Sequence, residues 1–367
     1  MDNKNSIKSF IRTHFFSGIK GIIKNFPPAY FAMVMSTGII SISCHLLKMD
    51  LLAQVLFWLN LWFYFSLWIF SILRIVFYHK EFFRDMIDHQ LGPGFFTIVA
   101  GSCILGSQFI IIFNHYSAAF ILWLIGLILW FIFNYTIFTG LTVKENKPTL
   151  DEGISGAWLL AVVATQAIAV LSTLIAAHME QPYRLHMNFL ALCMWLWGGM
   201  LYIWMISLIF YRYTFFKFSP SDLSPPYWIN MGAMAISTLA GSLLLSNTHD
   251  APFIQSVVPF IKGFTIFYWV TGTWWIPMLF ILAIWRHVYK RFPLKYDPLY
   301  WGAVFPLGMY TACTFRMAEA MNIHFLDEVP NYFIYFALAA WLAAFIGFLH
   351  SLFNQFKLLL VRPTGTS

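Results

Sequence analysis

Long apolar runs recur throughout this sequence, and they are the feature that most limits its fold. Ten of them reach about 20 residues, the length that an α-helix needs to cross the hydrocarbon core of a bilayer. Only 10% of the 367 residues are charged, against about 25% in soluble domains. We therefore predict an all-α polytopic membrane protein. The predicted spans are 27–47, 51–77, 91–113, 117–141, 154–178, 188–213, 225–247, 257–289, 298–320 and 331–355.

The positive charges support the count of ten. If the N-terminus lies in the cytoplasm, 18 of the 22 Lys and Arg residues fall in or beside cytoplasmic segments. This is the positive-inside pattern of membrane proteins, so the net charge of +7 reflects topology rather than nucleic-acid binding. We expect a cytoplasmic N-terminal segment (1–25), a ten-helix transmembrane domain (26–356) and a cytoplasmic tail (357–367).

A second pattern separates the odd-numbered spans from the even-numbered ones. Phe, Trp and Tyr total 42 in the even spans and 14 in the odd spans, which instead concentrate small and hydroxyl residues. Such residues suit either close helix contact or a wet interior. We predict five helical hairpins around a central pore, with odd helices inside and even helices outside, although simple packing of small residues fits the same pattern. The candidate pore-lining residues are Ser36, Thr37, Gly38, Gly101, Ser102, Thr165, Ser237, Thr238 and Gly302.

The ninth span departs most from a plain hydrophobic helix. It holds Phe305 directly before Pro306, and it carries Arg316 and Glu319 near its outer end. Proline removes a backbone donor, which a membrane helix tolerates when protein or water, rather than lipid, lies beside it. Charges inside a span are functional candidates by default. Arg316 and Glu319 share a helix face, and both a structural ion pair and a role in anion attraction fit this spacing.

Two segments resemble a known family. They are FPPAYFAMVMSTGI (26–39) and YWGAVFPLGMYTACTF (300–315). Through them the chain resembles the tellurite-resistance/dicarboxylate transporter family, which includes bacterial tellurite-resistance proteins, fungal malate permeases and sulfite pumps, and slow anion channels of plant guard cells. The resemblance implies ten helices in five hairpins, a pore lined by odd helices, a homotrimer, and a phenylalanine of the ninth helix as pore gate. That residue corresponds to Phe305, with Pro306 as its neighbour.

These observations predict a channel or transporter for small inorganic or organic anions. We expect it in the lipid bilayer of the plasma (inner) membrane, with both termini cytoplasmic and with no cofactor, metal or nucleic-acid partner. Chloride, nitrate, sulfite, tellurite and C4-dicarboxylates such as malate all fit as cargo.

Two other functions stay open at this point. A proton-coupled carrier of dicarboxylates or sulfite needs a protonatable group on the pathway, and Glu319 is the one carboxylate lodged in a span. GISG (153–156) is similar to a motif of intramembrane serine proteases and would make Ser155 the nucleophile. Most histidines fall at the opposite helix ends, however, so a Ser/His pair is hard to assemble and we do not expect an enzyme.

Overall fold

The computed structural model describes residues 18–248 and 251–360. Helices supply the regular secondary structure of this part of the chain, which confirms the predicted all-α class. Residues 1–17 of the predicted N-terminal segment and residues 361–367 of the predicted tail lie outside the described residues. The ten long helices are α1 (Ala32–Leu46), α2 (Asp50–Phe77), α3 (Phe96–Phe113), α4 (Tyr116–Val143), α5 (Leu160–Ala176), α6 (Tyr183–Phe215), α7 (Ile229–Ser246), α8 (Val258–Ile284), α9 (Trp301–Met321) and α10 (Glu328–Leu360).

The helix α9 differs from the other nine long helices. Within the described residues, those nine are long and apolar enough to cross a membrane when the short turns that precede the inner helices are included, whereas α9 has 21 residues but is less apolar. Most of its residues between 301 and 314 are buried against protein, where a helix does not have to match lipid. The polytopic membrane fold is confirmed, and the tenth crossing stays a prediction.

The odd-numbered helices form a closed inner ring. They pack in the order α1, α3, α5, α7, α9 and back to α1. Each even helix packs against its own hairpin partner and against the odd helix that follows it, and α10 closes the circle on α1. In their most apolar stretches, 78–94% of the residues of α1, α3, α5 and α7 are buried, against 22–50% in the even helices. The packing therefore matches the predicted division into inner and outer helices.

A short 3₁₀ turn introduces every inner helix. Proline suits the start of such a turn because its ring fixes φ and because the N–H that it lacks would have no helical partner there. The turns contact one another in the same cyclic order as the helices, so they form a second ring at one end of the bundle. The five turns are Pro28–Phe31, Gly92–Phe95, Gly156–Leu159, Pro225–Trp228 and Pro298–Tyr300.

Tight reversals close three hairpins at the opposite end. Asn114 after α3 and Asn322 after α9 adopt left-handed φ angles of 53° and 56°, and Lys48 between α1 and α2 has a φ angle of 63°. Asparagine tolerates this region better than most residues with a side chain. Short links make the partners antiparallel, so the inner helices all begin at the same end of the molecule.

Candidate functional site

The ring of 3₁₀ turns surrounds a wide cavity, which we call the vestibule. Its volume is about 690 Å³. Residues from all five inner helices meet here, so the vestibule lies on the axis of the inner ring. The inner helices contribute Ala32, Thr97, Leu160, Ile229 and Gly302, each from a first helical turn.

A second and much smaller cavity lies further along the same axis, and we call it the outer cavity. Its volume is about 20 Å³, which is space for about one water molecule. All five inner helices line it, mostly with aliphatic side chains, and its polar members are Ser107 and Arg316. The first residue that each inner helix contributes is Ile39, Ile104, Ala167, Ile236 or Met309.

The two cavities are separated by the same interval on every inner helix. The vestibule residue and the first outer-cavity residue are seven positions apart in all five helices. Seven residues make almost two turns and rise about 10.5 Å, and they return to nearly the same helix face. The five pairs therefore mark one axial path, and we call the interval between the cavities the closed layer.

Phe305 lies within the closed layer. It follows Gly302 by three residues and precedes Met309 by four, so it shares their face of α9, and it is completely buried. The other inner helices place a methionine, a valine or smaller residues at the corresponding positions, so Phe305 is the one aromatic residue among these ten. The other positions hold Met35 and Ser36, Ala100 and Gly101, Val163 and Ala164, Gly232 and Ala233, and Pro306.

The helices α7 and α9 approach closely beside Phe305. A Cβ atom built on Gly232 would lie 2.7 Å from Cγ of Pro306 and 3.3 Å from its Cα. Real Cβ atoms do not approach other atoms as closely as 2.7 Å. Glycine at this position thus allows α9 to pack beside α7, and α9 stays helical through Pro306.

Arg316 brings a charge to the outer end of the axis. It lines the outer cavity, and its Nη1 lies 2.8 Å from Oε2 of Glu319. The Arg316 side chain is 27% exposed, whereas that of Glu319 is 59% exposed. Arg316 therefore brings a positive charge to the axial cavity, while the side chain of Glu319 is the more exposed of the two.

The chain matches one protein family over most of its length. The family described as voltage-dependent anion channel (SLAC1) matches residues 25–349, which span the inner ring and most of α10. The chain belongs to this family. It is accordingly a multi-pass membrane protein of a family that moves anions across membranes, and the resemblance noted in its sequence is confirmed.

Individual proteins also match the chain, and three of them come from different organisms and match it to different extents. An uncharacterized transporter of Methanocaldococcus jannaschii is 25% identical over 92% of the chain and 97% of its own length. The sulfite efflux pump of the fungus Arthroderma otae is 25% identical over 88% of the chain and 90% of its own length. An uncharacterized membrane protein of Mycobacterium tuberculosis is 37% identical over 41% of the chain and 77% of its own length. Two of these relatives are named as a transporter and a pump, which is consistent with the expectation of a protein that is not an enzyme.

The hydroxyls of three predicted pore-lining residues bind outer helices. Thr37 accepts a hydrogen bond from the indole N–H of Trp341 at 3.0 Å, and Thr165 accepts one from Trp130 at 2.8 Å. The Ser102 and Tyr64 hydroxyls lie 2.9 Å apart. A buried indole N–H without a partner is costly in free energy, and these hydroxyls satisfy it. Their oxygens thus lie toward the outer ring.

The remaining predicted pore-lining residues divide between backbone contacts and the vestibule. Ser237 and Thr238 donate to carbonyls of their own helix, and Ser36 donates to the carbonyls of Ala32 and Trp301. Gly38 makes room for a neighbour, because a Cβ there would lie 2.6 Å from Ile104, whereas a Cβ on Gly101 would meet Val34 at an ordinary contact distance of 3.4 Å. Of the predicted set, Gly302 is the residue that lines either of the two cavities.

Ser155 has a structural role. Its Oγ accepts a hydrogen bond from the backbone N–H of Ala157 at 3.3 Å and so caps the turn before α5. A capping serine of this kind satisfies a free helical N–H. This contact accounts for the serine of GISG without a protease.

The charged residues that line the vestibule were not predicted from the sequence. Arg74 on α2 is 2% exposed, pairs with Asp85 and donates to the carbonyl of Lys24 at 3.0 Å. Arg212 on α6 pairs with Asp222 at 3.7 Å. Although burial alone raises the pKa of Asp222, hydrogen bonds from Ser219 and the charge of Arg212 hold that pKa below its ordinary value. The sequence signal is an arginine near the end of an otherwise apolar helix, which also fits the positive-inside pattern.

Proposed function

We propose that the chain conducts small anions along the axis of the inner ring and that Phe305 closes this path. The observation that carries the proposal is the closed layer. It separates two axial cavities by the same seven residues on every inner helix, and Phe305 is its one aromatic side chain. Together with the match to an anion channel family, this arrangement supports a plugged axial pore.

A large apolar ring in a narrow layer stops ions because it fills the path and excludes the water that an ion needs. The residues at the corresponding positions of α1, α3, α5 and α7 are smaller, so movement of the Phe305 side chain alone would leave space on the axis. Conduction requires weak binding along the path, and the aliphatic wall of the outer cavity fits that requirement.

The vestibule gathers anions mainly through the inner helices themselves. Five inner helices begin at this end, and each helix N-terminus carries a partial positive charge of about half an elementary charge. The side chains contribute little net charge, because four cations and five carboxylates line the wall. At the other end, Arg316 adds a positive charge beside the outer cavity.

The orientation follows from the positive-inside pattern, with ten crossings and both termini in the cytoplasm. The vestibule then faces the cytoplasm and the outer cavity faces outward, in the plasma (inner) membrane. We propose a homotrimer with one pore in each subunit, on the basis of the family resemblance. Because one relative is named a sulfite efflux pump, sulfite is the first anion to test.

Glu319 separates this channel from a proton-coupled carrier. A carrier needs a carboxylate that faces the pathway and exchanges protons there, but the Glu319 side chain is 59% exposed and paired with Arg316. We therefore favour the channel. The carrier predicts that Glu319→Gln abolishes pH-driven uptake, whereas the channel predicts flux that follows the voltage in both proteins.

The proposal is tested with the purified full chain in proteoliposomes. Efflux of sulfite, chloride, nitrate, tellurite and malate is measured at set voltages, with and without an imposed proton gradient. We expect anion flux that follows voltage and does not require the proton gradient. Flux of none of these anions, or flux only with a proton gradient, would contradict the proposed channel.

A further inference from the structure

The segment that follows α8 is basic and exposed. Residues 285–295 read WRHVYKRFPLK and contain four cationic residues but no carboxylate. Lys290, Arg291 and Lys295 are all exposed. The segment leads directly into the turn before α9, so it lies at the vestibule end of the molecule.

Three of the four cations of this segment have no carboxylate partner among the described residues. Lys290, Arg291 and Lys295 take part in none of the ion pairs recorded in the described residues. Elsewhere at this end, six basic side chains pair with carboxylates or bind carbonyls. These residues are Lys24, Arg74, Arg84, Arg212, Lys144 and Lys147.

Exposed apolar side chains alternate with these cations. Val288 is 69% exposed, and Tyr289 and Leu294 are each 74% exposed. Clusters of Lys and Arg beside a membrane helix attract anionic lipid, and interleaved apolar residues enter the boundary between head groups and acyl chains. The composition of the segment therefore matches an anionic bilayer surface.

A small pocket of about 50 Å³ adjoins the segment. Trp228, Leu279 and Ala283 give it an apolar wall, and Arg286 lies at its polar end. Nη1 of Arg286 donates to the carbonyl of Leu223, but its buried Nε has no hydrogen-bond partner among the described residues. The guanidinium group also lies over the Phe292 ring, 4.4 Å from its centroid. An arginine held in this way beside an apolar wall suits a molecule with a phosphate and an acyl chain.

We propose that this surface binds one anionic phospholipid from the adjacent leaflet. The phosphate contacts Arg286 together with Lys290 and Arg291, and an acyl chain lies along Trp228 and Ala283. The pocket also includes Tyr300 and Ala303, so the bound lipid touches the start of the helix that carries Phe305. The lipid site does not depend on whether the axis conducts anions.

Native mass spectrometry of the purified full chain tests the site. The protein is titrated with phosphatidylglycerol or with phosphatidylcholine of the same acyl chains. We expect the first phosphatidylglycerol to bind on the order of tenfold more tightly, since cations beside the membrane attract anionic head groups. The combined substitution Lys290→Gln, Arg291→Gln and Lys295→Gln should abolish this preference. The matched control, Lys144→Gln, Lys147→Gln and Lys217→Gln, should keep it.

A second variant, Ala283→Phe, fills the apolar pocket without a change of charge and should also weaken binding of the first phosphatidylglycerol. Thermal unfolding verifies that each variant is folded. Equal affinity of the wild-type protein for the two lipids, or an undiminished preference in the first triple variant, would overturn the site. Displacement of the lipid by millimolar inorganic phosphate would overturn it in favour of a free-phosphate site.

Discussion

The inner and outer helices differ in how far they are buried and in the hydrogen-bonding groups that they contribute. Inner helices are short, largely buried and rich in hydroxyls, whereas outer helices are long, half-exposed and rich in aromatic residues. The two groups meet in hydrogen bonds from outer indoles to inner hydroxyls. These bonds run from Trp123 to Ser172, Trp130 to Thr165, Trp269 to Thr314 and Trp341 to Thr37.

This difference teaches that each inner helix has two distinct faces. On one face, α1, α5 and α9 supply hydroxyls to tryptophans of the outer ring. On α3 the hydroxyl of Ser102 meets Tyr64, and on α7 the carbonyl of Ser237 accepts from Trp195. The other faces the axis and is aliphatic around the outer cavity, with Phe305 in the closed layer. The hydroxyls hold the inner and outer rings together. The side chains of the axial face therefore determine which ions can move along the path.

The largest loss of stability is expected at Arg74, because this residue buries a charge on an outer helix that is otherwise largely exposed. Arg74→Gln leaves Asp85 without its main partner, and the loss of one member of a buried ion pair costs about 3–5 kcal/mol. Arg84→Gln is the control, because Arg84 also contacts Asp85 but its side chain is 74% exposed. Thermal unfolding in detergent should show a large loss of stability for Arg74→Gln and little change for Arg84→Gln. Equal losses would contradict this account of the vestibule.

Glycines of the two rings should respond in opposite directions. Gly232→Ala places a methyl group against Pro306 and should cost about 1–3 kcal/mol, as overpacking of a core does. It should also raise anion flux, since Pro306 adjoins Phe305. Gly263→Ala on the outer helix α8 meets no atom within 4 Å and should gain up to about 1 kcal/mol of helix stability. A neutral Gly232→Ala variant with normal flux would contradict the close packing inferred here.

Removing the hydroxyl of Thr165 distinguishes a residue that lines the pore from one that holds the two rings together. Thr165→Val leaves the indole N–H of Trp130 unpaired and should cost about 1–3 kcal/mol. Adding Trp130→Phe should restore part of this loss, because both polar partners are then gone. Anion flux per folded protein should stay the same. A clear drop in flux at unchanged stability would instead place Thr165 on the path.

The smallest effect is expected at Arg316. Its side chain is partly exposed and already paired with Glu319, so its net electrostatic contribution should be about 1 kcal/mol or less. Arg316→Gln should therefore lower anion flux by at most about fivefold. Glu319→Gln removes the neutralising partner and should raise flux slightly. Voltage-clamped flux at low salt distinguishes these two directions, and identical flux in both variants would leave only a structural ion pair.

The fold was predictable from the sequence because span length, charge distribution and aromatic content all depend on whether a helix faces lipid, water or protein. It did not predict where Thr37 and Thr165 point, since a nearly all-apolar inner helix has no periodicity that distinguishes the axial side from the outer-ring side. The pair of Arg74 with Asp85 was also hidden, because Asp85 lies on a separate short helix, His79–Met86. Phe305 was singled out by its neighbour Pro306 and by the family resemblance, and its role in closing the path remains a prediction.

The central claim is tested by removing one of two equally buried rings. Phe305 and Phe31 are both completely buried, but Phe31 packs against Tyr64 and Trp68 of an outer helix. Both Phe→Ala changes should cost about 3–5 kcal/mol of stability. Anion efflux from proteoliposomes, normalised to folded protein, should rise about tenfold or more in Phe305→Ala, as loss of a barrier of about 1.4 kcal/mol requires, and should not rise in Phe31→Ala. Unchanged efflux in Phe305→Ala, or an equal rise in both variants, would contradict a gate at Phe305.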